Sequence, residues 1–173
     1  MTRLTVEDLN QADKERFVDI LGGVYEESPW VAERAWSERP FSSTEDVRQT
    51  MKDVVRNASQ KKQLDLLRAH PDLGENIEMT DESEEEQASA GLDRLSAEQY
   101  KTFQQLNTTY RDKFGFPFLM SVREESVETI QNAMEERIDR TKSEEFQTAL
   151  DEVNDIARLR LEELVATDED ERT

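Results

Sequence analysis

Three side chains of this sequence combine a reactive or anion-binding group with a position that gives it something to do: His70, Glu86 and Arg160. His70 is the sole histidine, the side chain whose ordinary pKa lies near neutrality, and it stands directly before Pro71, where a helix must break. An imidazole there can serve as a general acid or base, or can simply complement the C-terminus of its helix. Glu86 follows Ser83 at the spacing of a capping box. If that helix start faces a pocket, its backbone N–H groups also attract an anionic ligand, so capping and function can coexist. Arg160, at about 100° of rotation per residue, falls in the middle of the apolar stripe Val153, Ile156, Ala157, Leu161 and Leu164, whereas Arg158 points away from it. A guanidinium on an inward face needs a partner: either a structural carboxylate, or an anionic ligand whose carboxylate or ureido group fits its planar fork.

The elements that must position these groups read as helices throughout, with 3.6-residue periodicity recurring and only 5 Gly and 4 Pro to punctuate it. Phe17, Ile20, Leu21 and Val24 form the first stripe. Ser28-Pro29 is read as the start of a short helix carrying Trp30 and ending near Arg39-Pro40, and Ser43 with Asp46 starts the next, with Val47, Met51, Val54, Val55 and Ala58 as its apolar face. A helix carrying Leu64 and Leu67 runs into His70-Pro71, and a polar loop follows to Glu82. Ser83 and Ser96 open two further helices. The second presents Tyr100, Phe103, Leu106, Tyr110 and Phe114, closes at Gly115, and leads into Phe116-Pro117-Phe118-Leu119-Met120, which Pro117 keeps from being a helix interior. Ser126 opens a helix with Val127, Ile130, Met134 and Ile138; Ser143 opens a long last one with Phe146, Leu150, Val153 and the Arg160 stripe. Trp30 and Trp36 are expected as core anchors, and the Phe114–Phe118 run as core or pocket wall. The expected architecture is a single all-α multihelical domain over residues 1–165, an irregular array of long and short helices, with an acidic flexible tail over 166–173.

Composition narrows the function. Acidic residues outnumber basic ones 41 to 22, for a net charge of −19 over 173 residues, which argues against nucleic-acid phosphates or an anionic membrane surface as partners. An anionic small substrate would need a local basic pocket. The excess acid is spread along the chain and Arg predominates over Lys, a bias suited to a protein hydrated in high salt. Without Cys and with one His, a disulfide framework, a cysteine nucleophile and a transition-metal site are excluded. No apolar stretch reaches the roughly 20 residues that span a bilayer, and the first ten residues lack a signal-peptide core, so a cytoplasmic protein is expected.

In chain order, Leu21 to Trp30, His70-Pro-Asp-Leu-Gly74, Ser83-x-x-Glu86-Gln87 leading to Ala90-Gly-Leu92, Leu106-Asn107 with Tyr110, Phe114-Gly-Phe-Pro-Phe118, and Ile156 to Leu161 resemble the OHCU decarboxylase family over nearly the whole chain. OHCU is 2-oxo-4-hydroxy-4-carboxy-5-ureidoimidazoline. The resemblance implies a carboxy-lyase of urate and purine breakdown that yields (S)-allantoin without a cofactor or metal, in a halophilic archaeal form. It implies His70 as catalytic acid or base with Glu86 beside it, substrate contacts from Pro71, Ser83, Gln87 and Arg160, and a pocket completed by the backbone of Phe118, Leu119, Met120, Ser121 and Val122. The implied partner is a small ureidoimidazoline, and the implied assembly a homodimer. Two other readings stand beside it. The chain could be a non-catalytic acidic helical module that binds a protein partner, with His70 and Arg160 structural, or a related lyase acting on another ureide.

Overall fold

The computed structural model describes residues 4–74 and 79–165; the tail expected over 166–173 lies outside the described residues. Those residues form nine helices: α1 (Val6–Gln11), α2 (Lys14–Leu21), α3 (Trp30–Trp36), α4 (Thr44–Asn57), α5 (Gln60–Arg68), α6 (Asp81–Ser89), α7 (Ala97–Phe114), α8 (Val127–Arg137) and α9 (Lys142–Leu164). No strand occurs among the described residues, where Leu4 and Val165 meet only in an isolated bridge, and the all-α expectation holds. The helices gather into two compact units, one from residues 4–66 with 154–165 and one from Leu67–Val153, the division falling inside α5 and inside α9.

In the first unit α3 packs against both α2 and α4. Phe17, Leu21, Val31, Ala35, Val47, Met51 and Val55 are buried, joined by Ala157, Leu161 and Val165 of the C-terminal segment. The Phe17 and Phe41 rings stack at 6.0 Å between centroids. In the second unit α7 packs on α8. Phe103, Tyr110 and Phe114 of α7 are buried with Ile130 and Met134 of α8 and with Ala149, Leu150 and Val153 of α9.

Several boundaries differ from the sequence reading. Ser28 does not cap α3, because its hydroxyl donates to the Glu26 carbonyl at 2.8 Å; the helix begins without a side-chain cap and ends at Trp36, short of Arg39-Pro40. Ser143 does not open α9, because Thr141 forms a reciprocal box with Glu144 two residues earlier, its hydroxyl accepting from the Glu144 N–H at 3.2 Å. Ser43 and Ser96 do cap as expected; Ser96 forms a reciprocal box with Gln99, whereas at Ser43 the Asp46 carboxylate turns to the Ser42 N–H instead. Gly115, at φ 82°, closes α7 in the left-handed conformation. Trp30 and Trp36 are half-buried rather than core. Their faces carry cations, Arg34 and Lys62 over Trp30 at 5.2 and 5.0 Å and Arg39 over Trp36 at 4.2 Å, and the Trp36 N–H donates to the Ala12 carbonyl. An indole serves that amphipathic position better than a closed core. Tyr100 and Leu164, placed on inward stripes by periodicity, lie at helix ends and are exposed.

Candidate active site

His70, Pro71, Ser83, Glu86, Gln87 and Phe118 to Val122 belong to the second unit, and Arg160 to the first. His70 is buried, 6% exposed, two residues beyond the end of α5. Its backbone N–H reaches the Leu67 carbonyl at 3.3 Å as the helix unwinds before Pro71. The turn that follows is held by α6 and α7. Arg111 places Nε and Nη2 on Oδ1 of Asp72 at 3.2 and 3.0 Å. Gln87 donates to the Asp72 carbonyl at 3.2 Å and accepts from the Gly74 N–H at 3.0 Å, while Asn107 donates to the Leu73 carbonyl at 2.8 Å. Gly74 is favoured by its φ of 75°, and a Cβ there would stand 2.8 Å from a Leu95 methyl, which would have to shift. Where the sequence suggested an open polar loop from Pro71, residues 72 to 74 are buried and bonded. The protein's own side chains hold that turn in place, which is what positioning a reacting group requires.

The loop is also shorter than expected, because α6 begins at Asp81 rather than after Ser83. Thr80 is its cap, accepting from the Ser83 N–H at 3.2 Å. The Ser83–Glu86 capping box is therefore a misreading of register: Ser83 sits in the first turn, 5% exposed, and Glu86 lies in the helix body. The Glu86 carboxylate pairs with Arg123 at 3.4 Å, its side chain 12% exposed. Beside it the Ser89 hydroxyl donates to the Glu86 carbonyl at 2.7 Å and accepts from the Glu124 N–H at 3.2 Å. The end of α6 is thus tied at two points to the turn after Val122.

Phe118, Leu119 and Val122 are buried, Met120 and Ser121 half-buried. The aromatic run is core, as one of its two expected roles: Tyr110 packs against Phe114, Phe116 and Phe118 at 4.5, 6.0 and 5.4 Å. Glu152 accepts from the Ser121 N–H at 3.0 Å, and Arg137 donates to the Leu119 carbonyl at 2.7 Å.

Arg160 is on the inward face, 4% exposed, as its place in the stripe requires. Its partner is Glu26, 2% exposed, at 2.9 Å, with the Gly23 carbonyl at 3.2 Å. Arg158 instead meets Asp155 and Glu162 at the surface. The sequence reading named neither Glu26 nor the pair Arg137 and Glu145, although the signal that exposed Arg160 exists for Arg137. It follows Ile130 and Met134 at seven and three residues on the buried face of α8. Arg123 carries no such periodic signal, since it lies in a turn. Among the described residues no three His, Asp or Glu side chains are arranged to share a metal ion, and no helix is long and apolar enough to cross a membrane.

The OHCU decarboxylase family model matches residues 10–162. The chain is 74% identical over 164 residues to the 2-oxo-4-hydroxy-4-carboxy-5-ureidoimidazoline decarboxylase of Halalkalicoccus jeotgali, covering 95% of this chain and 93% of the relative. It is 60% identical over 163 residues to the enzyme of the same name from Haloferax volcanii, covering 94% and 97%. A crystal structure of (S)-allantoin synthase superposes with a TM-score of 0.75 at 31% identity, over 94% of this chain and 54% of that one.

Proposed function

Because the chain belongs to the OHCU decarboxylase family, we propose that it removes CO2 from 2-oxo-4-hydroxy-4-carboxy-5-ureidoimidazoline to give (S)-allantoin, a step of urate breakdown. The observation that carries this reading is coverage: the family match over residues 10–162 contains every candidate residue from His70 to Arg160. The substrate's own structure supplies the electron sink. Its carboxylate sits on a carbon that bears a hydroxyl and adjoins a ring C=N, so the electron pair of the breaking C–C bond flows into that unsaturation as CO2 leaves. The enol-like product is then protonated on the neighbouring carbon from one face, which sets the (S) configuration.

In this mechanism His70 polarises the substrate hydroxyl or shuttles its proton, Glu86 orients the imidazole and the substrate, and Arg160 holds the anionic, ureido-bearing ligand. The family resemblance also assigns substrate contacts to Pro71, Ser83 and Gln87 and to the backbone of Phe118 to Val122. Support comes from the burial of His70, the bonded turn that follows it, and the release of Glu86 from any capping duty. Glu86→Gln tests the assignment. Its amide can still accept from Arg123, so stability should fall by about 1 kcal/mol or less, while turnover should fall by about 10² or more. A variant that keeps full turnover would remove Glu86 from the mechanism.

The acidic surface belongs to the same proposal. Relatives from two halophilic archaea and a charge of −19 fit a protein that works in molar salt, where the Debye length falls to about 3 Å and repulsion of an anionic substrate is screened. Initial rate and thermal midpoint should both rise from dilute buffer to molar KCl; equal values at both would contradict the salt-adapted reading. A cytoplasmic location and a homodimer complete the proposal, on the strength of the family resemblance.

A further inference from the structure

Arg137 plays no part in the chemistry above, yet it is a buried cation of the second unit, 8% exposed. Two of its contacts reach the Phe118–Val122 segment assigned to the substrate, and a third ties it to Glu145. Nη1 donates to the Leu119 carbonyl at 2.7 Å, the guanidinium lies 4.4 Å over the Phe118 ring, and Nε donates to Oε1 of Glu145 at 2.8 Å. Glu145 is fully buried and also accepts from the Tyr110 hydroxyl at 2.6 Å and, through Oε2, from Arg140 at 2.9 Å. Burial and the hydrogen bond to Glu145 push the Tyr110 phenol far above its ordinary range, so it remains a donor. Tyr110 in turn packs edge-on against Phe118. The contacts form a closed circuit, Tyr110 to Phe118 to Arg137 to Glu145 and back, with the Leu119 carbonyl pinned at its rim. Nη2 of Arg137 is buried with no hydrogen-bond partner among the described residues. A buried guanidinium with an unsatisfied nitrogen is a poor device for stability alone, since an apolar side chain of similar volume generally does as well or better. It is a good device for fixing one carbonyl.

We propose that Arg137 is a positioning residue for the decarboxylation: held by Glu145, it sets the Leu119 carbonyl and the Phe118 ring, and through them the Phe118–Val122 backbone that receives the substrate. This rests on the assignment of that backbone to the substrate site. A contact made by backbone in both ground and transition states is uniform binding, so its disturbance moves KM rather than kcat. Arg137→Lys keeps the charge but cannot donate to Leu119 and Glu145 and cover Phe118 together. With OHCU as substrate in molar KCl, KM should rise about tenfold with kcat within about threefold of wild type. Glu145→Gln, which keeps volume and an acceptor, should raise KM in the same direction by a smaller factor and carries the test if the lysine variant does not fold. A KM unchanged in the folded variants, with only the thermal midpoint lowered, overturns the proposal and leaves Arg137 structural. Absence of wild-type turnover on OHCU would instead fail the reading beneath it.

Discussion

Replacing His70 with asparagine should lower turnover by about 10² to 10⁴ at saturating substrate, the usual contribution of a positioned acid or base, while the protein stays folded. The structure explains why the two effects separate. The imidazole is 6% exposed, and the turn it belongs to is fixed by the side chains of Arg111, Gln87 and Asn107 acting on Asp72, Leu73 and Gly74. Asparagine can hydrogen-bond at a helix end and is smaller, so a stability loss of about 1 kcal/mol from imperfect packing is expected. Turnover measured at substrate concentrations well above KM, alongside thermal unfolding, separates the two quantities. Near-normal turnover in a folded His70→Asn protein would return His70 to the role of a helix-end side chain.

Arg160→Ala should behave differently, with a loss of stability of about 3 to 5 kcal/mol in addition to weakened catalysis. Its partner Glu26 is 2% exposed at 2.9 Å, so removing the guanidinium leaves a carboxylate buried opposite a gap. The single variant therefore cannot distinguish an ion pair from a substrate clamp. The double variant Arg160→Met, Glu26→Gln can, because it removes both charges and refills the volume, and most of the lost stability should return. If Arg160 also holds the anionic ligand, the restored fold should still show KM raised about 10- to 100-fold, the equivalent of losing a charge-assisted contact. Normal KM in the double variant would make the Arg160–Glu26 pair purely structural.

How far the sequence led can be judged from particular residues. Helical periodicity found the faces that bury Phe17, Val47, Met51, Phe103, Ile130 and Val153, and it found Arg160 turned inward, because a long amphipathic helix states its buried face in its own spacing. Boundaries were less legible where two hydroxyl residues compete for one helix start. Thr80 and Thr141 stand three and two residues ahead of the serines that local spacing favoured, and the choice depends on where tertiary packing lets the chain turn. The resemblance supplied His70, Glu86, Arg160 and the Phe118–Val122 backbone as candidates. It did not bring the residues that hold them, since Glu26, Arg123 and Glu145 each meet a partner distant in sequence. Such pairings leave no local pattern to read. Tryptophan misled for a related reason, because hydrophobic mass suggests a core while an indole N–H and a ring face suit an amphipathic boundary covered by Arg and Lys.

The central claim is the reaction itself, and freshly generated OHCU supplied to the purified protein in molar KCl tests it most directly, with circular dichroism following the appearance of optically active allantoin. The account predicts a rate proportional to enzyme concentration and a product signal of the (S) enantiomer, well above the spontaneous background. Racemic allantoin forming at the background rate, with the protein folded and His70 intact, would contradict it.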